Sequence, residues 1–239
     1  MNKIDKKINY KQIMINKKVK FIGLDGDDTL WHNEIHFQKA QDDFCKLFKN
    51  INPKKIKKKL LEIEKKNLPI YGYGIKGFNL SLLETYIYFN KNITINKVKA
   101  ILDIGKTMLT KKVQLITDVE KVLMQLKKKY KLFLITKGDY NDQQRKVKQS
   151  KLKKYFDSII ILDEKDKNTY KKILNQFKIK PSQFLMVGNS IKSDVLPVID
   201  IKGHAIHIPY HVTWEHEISN KKILSNRYKK LNNILNILK

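Results

Sequence analysis

The sequence predicts an α/β fold built on a doubly wound parallel sheet, with an α-helical segment inserted after the first strand. Two observations carry this prediction. Short apolar runs alternate with helical patterns in the second half of the chain, which is typical of parallel strands joined by crossover helices. Between Trp31 and about Gln114, by contrast, apolar residues recur three or four positions apart, as in amphipathic helices. At 239 residues the chain can bury a full core and an inserted segment.

The predicted elements follow in chain order. Residues 1 to about 17 are polar and lysine-rich, and we expect a frayed extension there. The first strand is the buried apolar run that ends at Leu24. An α/β core of residues 1–33 and 113–239 then encloses a helical segment of residues 34–112. We expect the later core elements to be strands at 132–136, 158–162, 184–187 and 204–208, and helices after Tyr140, at 169–177 and at 231–238.

Two carboxylates stand directly after the first strand. Asp25 and Asp27 leave its carboxyl end, the edge at which open α/β sheets bind their ligands. Carboxylates aimed at one point repel each other unless a cation lies between them, so the pair predicts bound Mg²⁺. For this segment alone, a solvated acidic turn is the alternative.

The pattern Asp25-x-Asp27-x-Thr29 resembles the first motif of the haloacid dehalogenase-like (HAD) phosphohydrolases. The resemblance covers residues from about 19 to about 209, because three further motifs of that family follow in order. It implies a HAD-like Rossmannoid core, and it implies that residues 34–112 form a helical cap of the C1 type.

The later motifs stand where the family has them, each after the element it should follow. An apolar run ends at Thr136 and is followed by Lys137, which fits the second motif. Lys165 lies just before a predicted helix, as the third motif requires, although other lysines lie close to it. The fourth motif is similar to an apolar strand followed here by Asn189 and Asp194.

The resemblance implies a role for each of these residues in phosphoryl transfer. Asp25 would attack phosphorus and form an aspartyl-phosphate. Asp27 would protonate the leaving alkoxide and later deprotonate the attacking water. Thr136, Lys137 and Lys165 would bind the phosphoryl oxygens.

The same resemblance implies a Mg²⁺ site formed by Asp25, the main-chain carbonyl of Asp27, and the fourth motif. Many relatives carry aspartate where this chain has Asn189, an oxygen ligand without charge. We therefore expect weaker metal affinity than a second aspartate would give. The sequence leaves open whether Asn189 or Asp194 contacts the metal.

These residues favour a phosphatase that acts on a small phosphorylated metabolite. The haloacid dehalogenases of the superfamily do not need the second aspartate, because halide leaves without a proton, and Asp27 is present here. A phosphomutase of the same fold stays open, as does a noncatalytic protein that binds anions or RNA on this scaffold.

The amino-acid composition bears on the partners and the location of the protein. The formal net charge is +27, which would suit nucleic acid or an anionic surface. Only two of the 50 basic residues, Arg145 and Arg227, are arginines, however, and the lysines are spread over nearly every predicted helix. We therefore expect no nucleic-acid partner. No apolar run suits a membrane span, and the single cysteine, Cys45, suits a reducing compartment such as the cytoplasm.

Three glycines, Gly72, Gly74 and Gly77, match the G-x-G-x-x-G fingerprint of dinucleotide sites. The segment before them contains a proline and makes a poor strand, so we reject that interpretation. If the helical segment closes over the core, Tyr71, Tyr73 and Lys76 are candidates for touching the substrate's leaving group; packing within their own turn is the equal alternative.

Overall fold

The computed structural model describes residues 16–219 and 221–238, which leaves nearly all of the predicted N-terminal extension outside the described residues. In this part of the chain, six parallel strands form one sheet in the order β3-β2-β1-β4-β5-β6. The strands are β1 (Phe21–Leu24), β2 (Lys131–Lys137), β3 (Ser158–Leu162), β4 (Phe184–Gly188), β5 (His204–His207) and β6 (Tyr228–Lys230). The predicted α/β fold with a parallel sheet is therefore confirmed.

Strand β1 lies at the centre of the sheet, where it pairs with β2 on one side and β4 on the other. Ile22 and Leu24 are fully buried and Phe21 is half-buried, as expected for a parallel strand covered by helices on both faces. Because the chain order reverses between β1 and β4, a crevice opens at the carboxyl ends of these two strands.

The core helices connect the strands and cover both faces of the sheet. They bury two apolar clusters, one of which includes Leu24, Leu123 and Leu134, and the other Phe133, Tyr170 and Phe184. These helices are α5 (Val119–Lys127), α6 (Tyr140–Ser150), α7 (Lys167–Gln176) and α8 (Leu196–Asp200).

A helical unit, defined here as α1 to α4, is inserted between β1 and α5. It surrounds an apolar cluster of its own, which includes Phe44, Leu60, Leu82 and Ile101. The division into a core and a cap at residues 34–112 stays a prediction, although these helices all fall within that range. They are α1 (Glu34–Cys45), α2 (Pro53–Tyr71), α3 (Ile75–Phe89) and α4 (Ile95–Thr110).

Two elements near the C-terminus differ from the sequence prediction. Strand β6, which runs along β5, was not predicted, because a three-residue segment with two lysines carries no apolar pattern. The predicted closing helix is a short 3-10 helix, Ile234–Leu238, whose apolar residues pack on the core cluster. Across the described residues, no helix is both long and apolar enough to cross a membrane.

Candidate active site

Asp25 begins the site, one residue beyond the end of β1. Its main-chain N–H donates to the carbonyl of Val187, which extends the pairing with β4 and fixes the turn out of the sheet. Its Oδ1 accepts a hydrogen bond from Lys165 Nζ at 2.5 Å, and its Oδ2 accepts one from Thr29 Oγ1 at 3.0 Å. Burial raises the pKa of Asp25 to about 7, although the ammonium of Lys165 opposes the rise.

Lys165 joins the first and fourth motifs. Its ammonium lies 2.8 Å from Asp194 Oδ1 as well as 2.5 Å from Asp25 Oδ1. Burial alone would lower the pKa of Lys165, but the two carboxylates raise it above its usual value. The second oxygen of Asp194 accepts a hydrogen bond from the main-chain N–H of Ser190 at 3.0 Å. Asp194 therefore orients Lys165, and Lys165 is the lysine that the fold brings to Asp25.

Asp27 is held by three side chains. Trp31 Nε1 donates to Oδ1 at 2.6 Å, and Gln143 Nε2 donates to Oδ2 at 2.9 Å. Lys146 Nζ lies 2.9 Å from both carboxylate oxygens. These contacts leave Asp27 in one orientation at the edge of the site.

Sequence reasoning missed Gln143 and Lys146, both on α6. Lys146 is buried, contacts Asn33 Oδ1 at 2.8 Å and pairs with Asp142 at 3.3 Å. Although burial opposes it, the carboxylates of Asp27 and Asp142 raise the pKa of Lys146. The sequence did contain one indication. Gln143 and Lys146 are three positions apart on the helix that follows the second motif, so their side chains lie on one face.

Thr136 ends the buried part of β2 and faces the same site. Its hydroxyl is buried and finds no hydrogen-bond partner in the described part of the chain. In residues 16–219 and 221–238, the main-chain N–H groups of Gly26 and Asp27 also have no acceptor. Buried donors without partners are costly, so an anionic ligand accepting from these groups would stabilise the loop.

The Lys137 side chain, predicted to bind phosphate, contacts two carboxylates and a hydroxyl. Its ammonium contacts Glu217 at 2.5 Å, Ser193 at 3.0 Å and Glu164 at 3.5 Å, which engages its three hydrogens. It also lies 4.0 Å from the ring centre of Tyr73. Lys137 therefore joins segments around the cavity, and the binding of phosphate by Thr136, Lys137 and Lys165 stays a prediction.

Glu217 is the main partner of Lys137 and comes from the loop after β5. Besides the lysine, it accepts hydrogen bonds from Ser190 Oγ at 2.5 Å and Ser193 Oγ at 2.8 Å. Burial would raise the pKa of Glu217, but Lys137 and the two hydroxyls lower it to about 2. This ionised glutamate ties the loop to the fourth motif.

Asn189 faces the two oxygens expected to bind a metal. Its amide lies 3.2 Å from Asp25 Oδ2 and 3.3 Å from the main-chain oxygen of Asp27, in the orientation where its nitrogen donates to both. Rotating the side-chain amide of Asn189 by 180° puts its oxygen, in place of its nitrogen, beside these two oxygens. Carboxylate, carbonyl and amide oxygens suit Mg²⁺, so this donor set fits the ion.

Asp194 lies beside this donor set, its two oxygens accept from Lys165 and Ser190, and its contact with the metal stays a prediction. Within the described residues, no group of three or more His, Cys, Asp or Glu side chains is arranged to hold a metal. A Mg²⁺ ion bound here would therefore depend on the main-chain and amide oxygens of Asp27 and Asn189 together with Asp25.

One cavity between the sheet edge and the helical unit brings all the sequence-predicted site residues together. The lining from the core is Asp25, Asp27, Thr136, Lys137, Lys165, Asn189 and Asp194, joined by Gln143 and Lys146. The lining from the helical unit includes Glu34, Phe37, Glu64, Asn67, Tyr73 and Phe78.

The loop between α2 and α3 closes this cavity on one side. Tyr73 lines the cavity, and its hydroxyl donates to Glu164 Oε2 at 2.7 Å. Lys76 and Tyr71 lie outside the lining; Lys76 pairs with Asp139 at 2.9 Å, and Tyr71 is exposed. Of the three candidates for contact with a leaving group, only Tyr73 is in position.

Two comparisons relate the chain to proteins already described. Residues 73–196 match the sequence profile described as haloacid dehalogenase-like hydrolase. The whole fold is similar to the crystal structure of a haloacid dehalogenase-like family hydrolase from Xanthomonas campestris, with a TM-score of 0.83 and 33% identity. That match covers 92% of this chain and 89% of the other. No curated protein matches the sequence.

More distant structures share the fold. The HAD hydrolase YfnB from Bacillus subtilis, described as bound to magnesium, matches with a TM-score of 0.61 and 13% identity over 92% of this chain and 96% of its own. A 2-haloacid dehalogenase from Pseudomonas syringae matches with a TM-score of 0.56 and 18% identity, over 90% of this chain and 95% of its own. At these sequence identities, the similarity concerns the fold alone.

Proposed function

The chain belongs to the haloacid dehalogenase-like hydrolases, and on that premise we propose that it is a Mg²⁺-dependent phosphatase of a small phosphorylated metabolite. The observation that carries the proposal is the fixed orientation of Asp27 by Trp31, Gln143 and Lys146. An alkoxide leaves phosphorus with difficulty unless it receives a proton, whereas a halide needs none. A positioned second carboxylate therefore has a use in ester hydrolysis that it lacks in dehalogenation.

In the first step a carboxylate oxygen of Asp25 attacks phosphorus. The new O–P bond forms as the ester P–O bond breaks, and Asp27 gives its proton to the leaving oxygen. The hydroxyl of Thr136 and the ammonium of Lys165 bind the phosphoryl oxygens, where negative charge spreads in the transition state. The unpartnered N–H groups of Gly26 and Asp27 add donors to the same group.

In the second step Asp27 takes a proton from a water molecule that attacks the aspartyl-phosphate. Inorganic phosphate leaves, and the carboxylate of Asp25 is restored. Asp25, the Asp27 carbonyl and Asn189 would hold Mg²⁺, which would reduce the repulsion between the anionic nucleophile and the phosphate.

The helical unit acts in this proposal as the cap that selects the substrate. Tyr73 and Lys76 hold its loop against the core through Glu164 and Asp139, which supports a small ligand enclosed between the two parts. A nucleic acid would need an open binding surface and not an enclosed cavity. The basic residues are mostly lysines scattered along the chain, and they do not form the arginine-rich surface that recognises nucleic acid.

Hydrolysis of p-nitrophenyl phosphate tests the proposal. We expect turnover with Mg²⁺, loss of turnover with EDTA, recovery on adding Mg²⁺, and none in Asp25→Asn. Release of inorganic phosphate distinguishes hydrolysis from transfer by a mutase. Chloride release from 2-chloropropionate without phosphatase activity would refute the proposal and identify a dehalogenase.

A further inference from the structure

The cap side of the cavity differs in charge from the rest of this lysine-rich chain. All lysines in the cavity lining (Lys137, Lys146 and Lys165) come from the core, and each is paired with carboxylates. Among its described residues, the helical unit contributes no basic side chain to the lining, but it contributes Glu34 and Glu64. A leaving group bound there therefore meets two carboxyl groups and no basic side chain of the helical unit.

Glu64 is the most informative of these residues. Along α2, one buried face runs through Ile56, Leu60, Glu64 and Asn67, so a carboxylate replaces the apolar residues where the helix passes the cavity. Glu64 is 9% exposed, and no described residue donates a hydrogen bond to its carboxylate. Burial without a partner is also what raises its pKa to about 7.

Two amides add acceptors to the same space. The nitrogen of Asn67 donates to Ser81 at 3.0 Å and to Glu84 at 2.9 Å, which leaves the amide oxygen to accept. On the opposite wall the amide oxygen of Gln143 is buried and has no partner in the described part of the chain. This orphaned acceptor is independent of the two glutamates, and it also needs a donor.

We propose that the alcohol released by this enzyme is rich in hydrogen-bond donors and carries no anionic group, as in a sugar or polyol monophosphate. The inference rests on the proposed phosphatase function. Hydroxyl groups would satisfy the acceptors of Glu64, Asn67 and Gln143. A carboxylate or a second phosphate in their place would leave these acceptors unpaired and would meet no basic side chain of the helical unit.

A matched pair of ligands tests this inference. Glycerol 3-phosphate and 3-phosphoglycerate differ in a hydroxymethyl group against a carboxylate, and both can be measured as competitive inhibitors of p-nitrophenyl phosphate hydrolysis. We expect glycerol 3-phosphate to bind at least about tenfold more tightly to the wild-type enzyme. This measurement needs no variant and does not require that either compound be turned over.

The variant Glu64→Gln keeps the shape of the side chain and removes its charge. We expect it to bring the ratio of the two inhibition constants closer to one. The control is Glu62→Gln, at an exposed position on the same helix, which should keep the wild-type ratio. Equal constants in the wild type, tighter binding of 3-phosphoglycerate, or an unchanged ratio in Glu64→Gln would overturn the inference and leave the phosphatase proposal intact. Absence of p-nitrophenyl phosphate hydrolysis would overturn both.

Discussion

The ammonium of Lys146 lies 2.9 Å from each carboxylate oxygen of Asp27, and this ion pair is the main restraint on the proposed acid–base residue. A carboxylate that moves protons must stay within hydrogen-bond reach of the reacting oxygens in both steps. The lysine therefore acts as a positioning residue, since it reaches the reaction only through Asp27.

Replacing Lys146 by methionine removes the ion pair and keeps the length of the side chain. We expect kcat for p-nitrophenyl phosphate to fall about tenfold or more while KM changes little, because orientation and not binding is lost. The matched control is Lys148→Met, an exposed lysine on the same helix, which should leave both constants unchanged. An equal effect of the two variants, or an effect on KM alone, would contradict the positioning role.

Asp27→Asn separates ester hydrolysis from dehalogenation. We expect phosphatase turnover to fall by a factor on the order of 10²–10⁴, because the amide neither gives nor takes the proton. The carbonyl oxygen proposed to bind Mg²⁺ is on the main chain and is retained. Phosphate release at the wild-type rate from Asp27→Asn would show that another group supplies the proton.

The two fourth-motif residues should respond differently to substitution. Asp194→Ala is expected to abolish Mg²⁺-dependent turnover, because Lys165 loses the partner that orients it beside Asp25. Asn189→Asp should keep turnover and lower the half-saturating Mg²⁺ concentration, since it adds a charged oxygen ligand. A Mg²⁺ titration of p-nitrophenyl phosphate hydrolysis checks both variants. Wild-type activity of Asp194→Ala would refute the assignment of Lys165.

Ionisation of the buried Glu64 carboxyl should lower the free energy of unfolding, in proportion to the fraction that is ionised. Its pKa is raised to about 7 in the folded protein, from its usual value of 4.5, so the unfolded chain ionises first as the pH rises. The folded state loses stability between about pH 4.5 and pH 7, to a limit of about 3 kcal/mol.

The variant Glu64→Gln removes this pH-dependent loss. Its free energy of unfolding, measured in urea, should exceed that of the wild type by most of that amount at pH 8 and by little at pH 4. A difference that is the same at both pH values would show that the glutamate is not buried as a lone carboxylate. A stabilising variant that loses substrate selectivity would show the balance between stability and function expected at binding sites.

The residues at the ends of the strands could be predicted from the sequence because their order along the chain reflects their place in a parallel sheet. Asp25, Thr136 and Asn189 each follow an apolar run, and parallel strands bring such positions to one edge. That reasoning holds without knowledge of any side-chain contact, and it locates the centre of the site.

The residues that orient the site could not be found in the same way. Lys146 is one lysine in a chain with 50 basic residues, and only its contact with Asp27 in the folded chain distinguishes it. The motif predicts the position of Lys137 in the site, but its contacts with Glu217 and Glu164 depend on loops that have no periodic pattern. Long-range pairing of this kind follows from tertiary structure alone.

The contact between the helical unit and the core also bears on the timing of the catalytic cycle. The bonds of Tyr73 to Glu164 and of Lys76 to Asp139 hold the loop that closes one side of the cavity, and both must break for an alcohol to leave by that side. The second of these is a partly exposed ion pair, which dissolved salt weakens. If release of the alcohol is the slowest step, higher ionic strength should raise kcat, because it weakens an ion pair that lies far from the reacting phosphorus. The same weakening should lower the affinity for substrate.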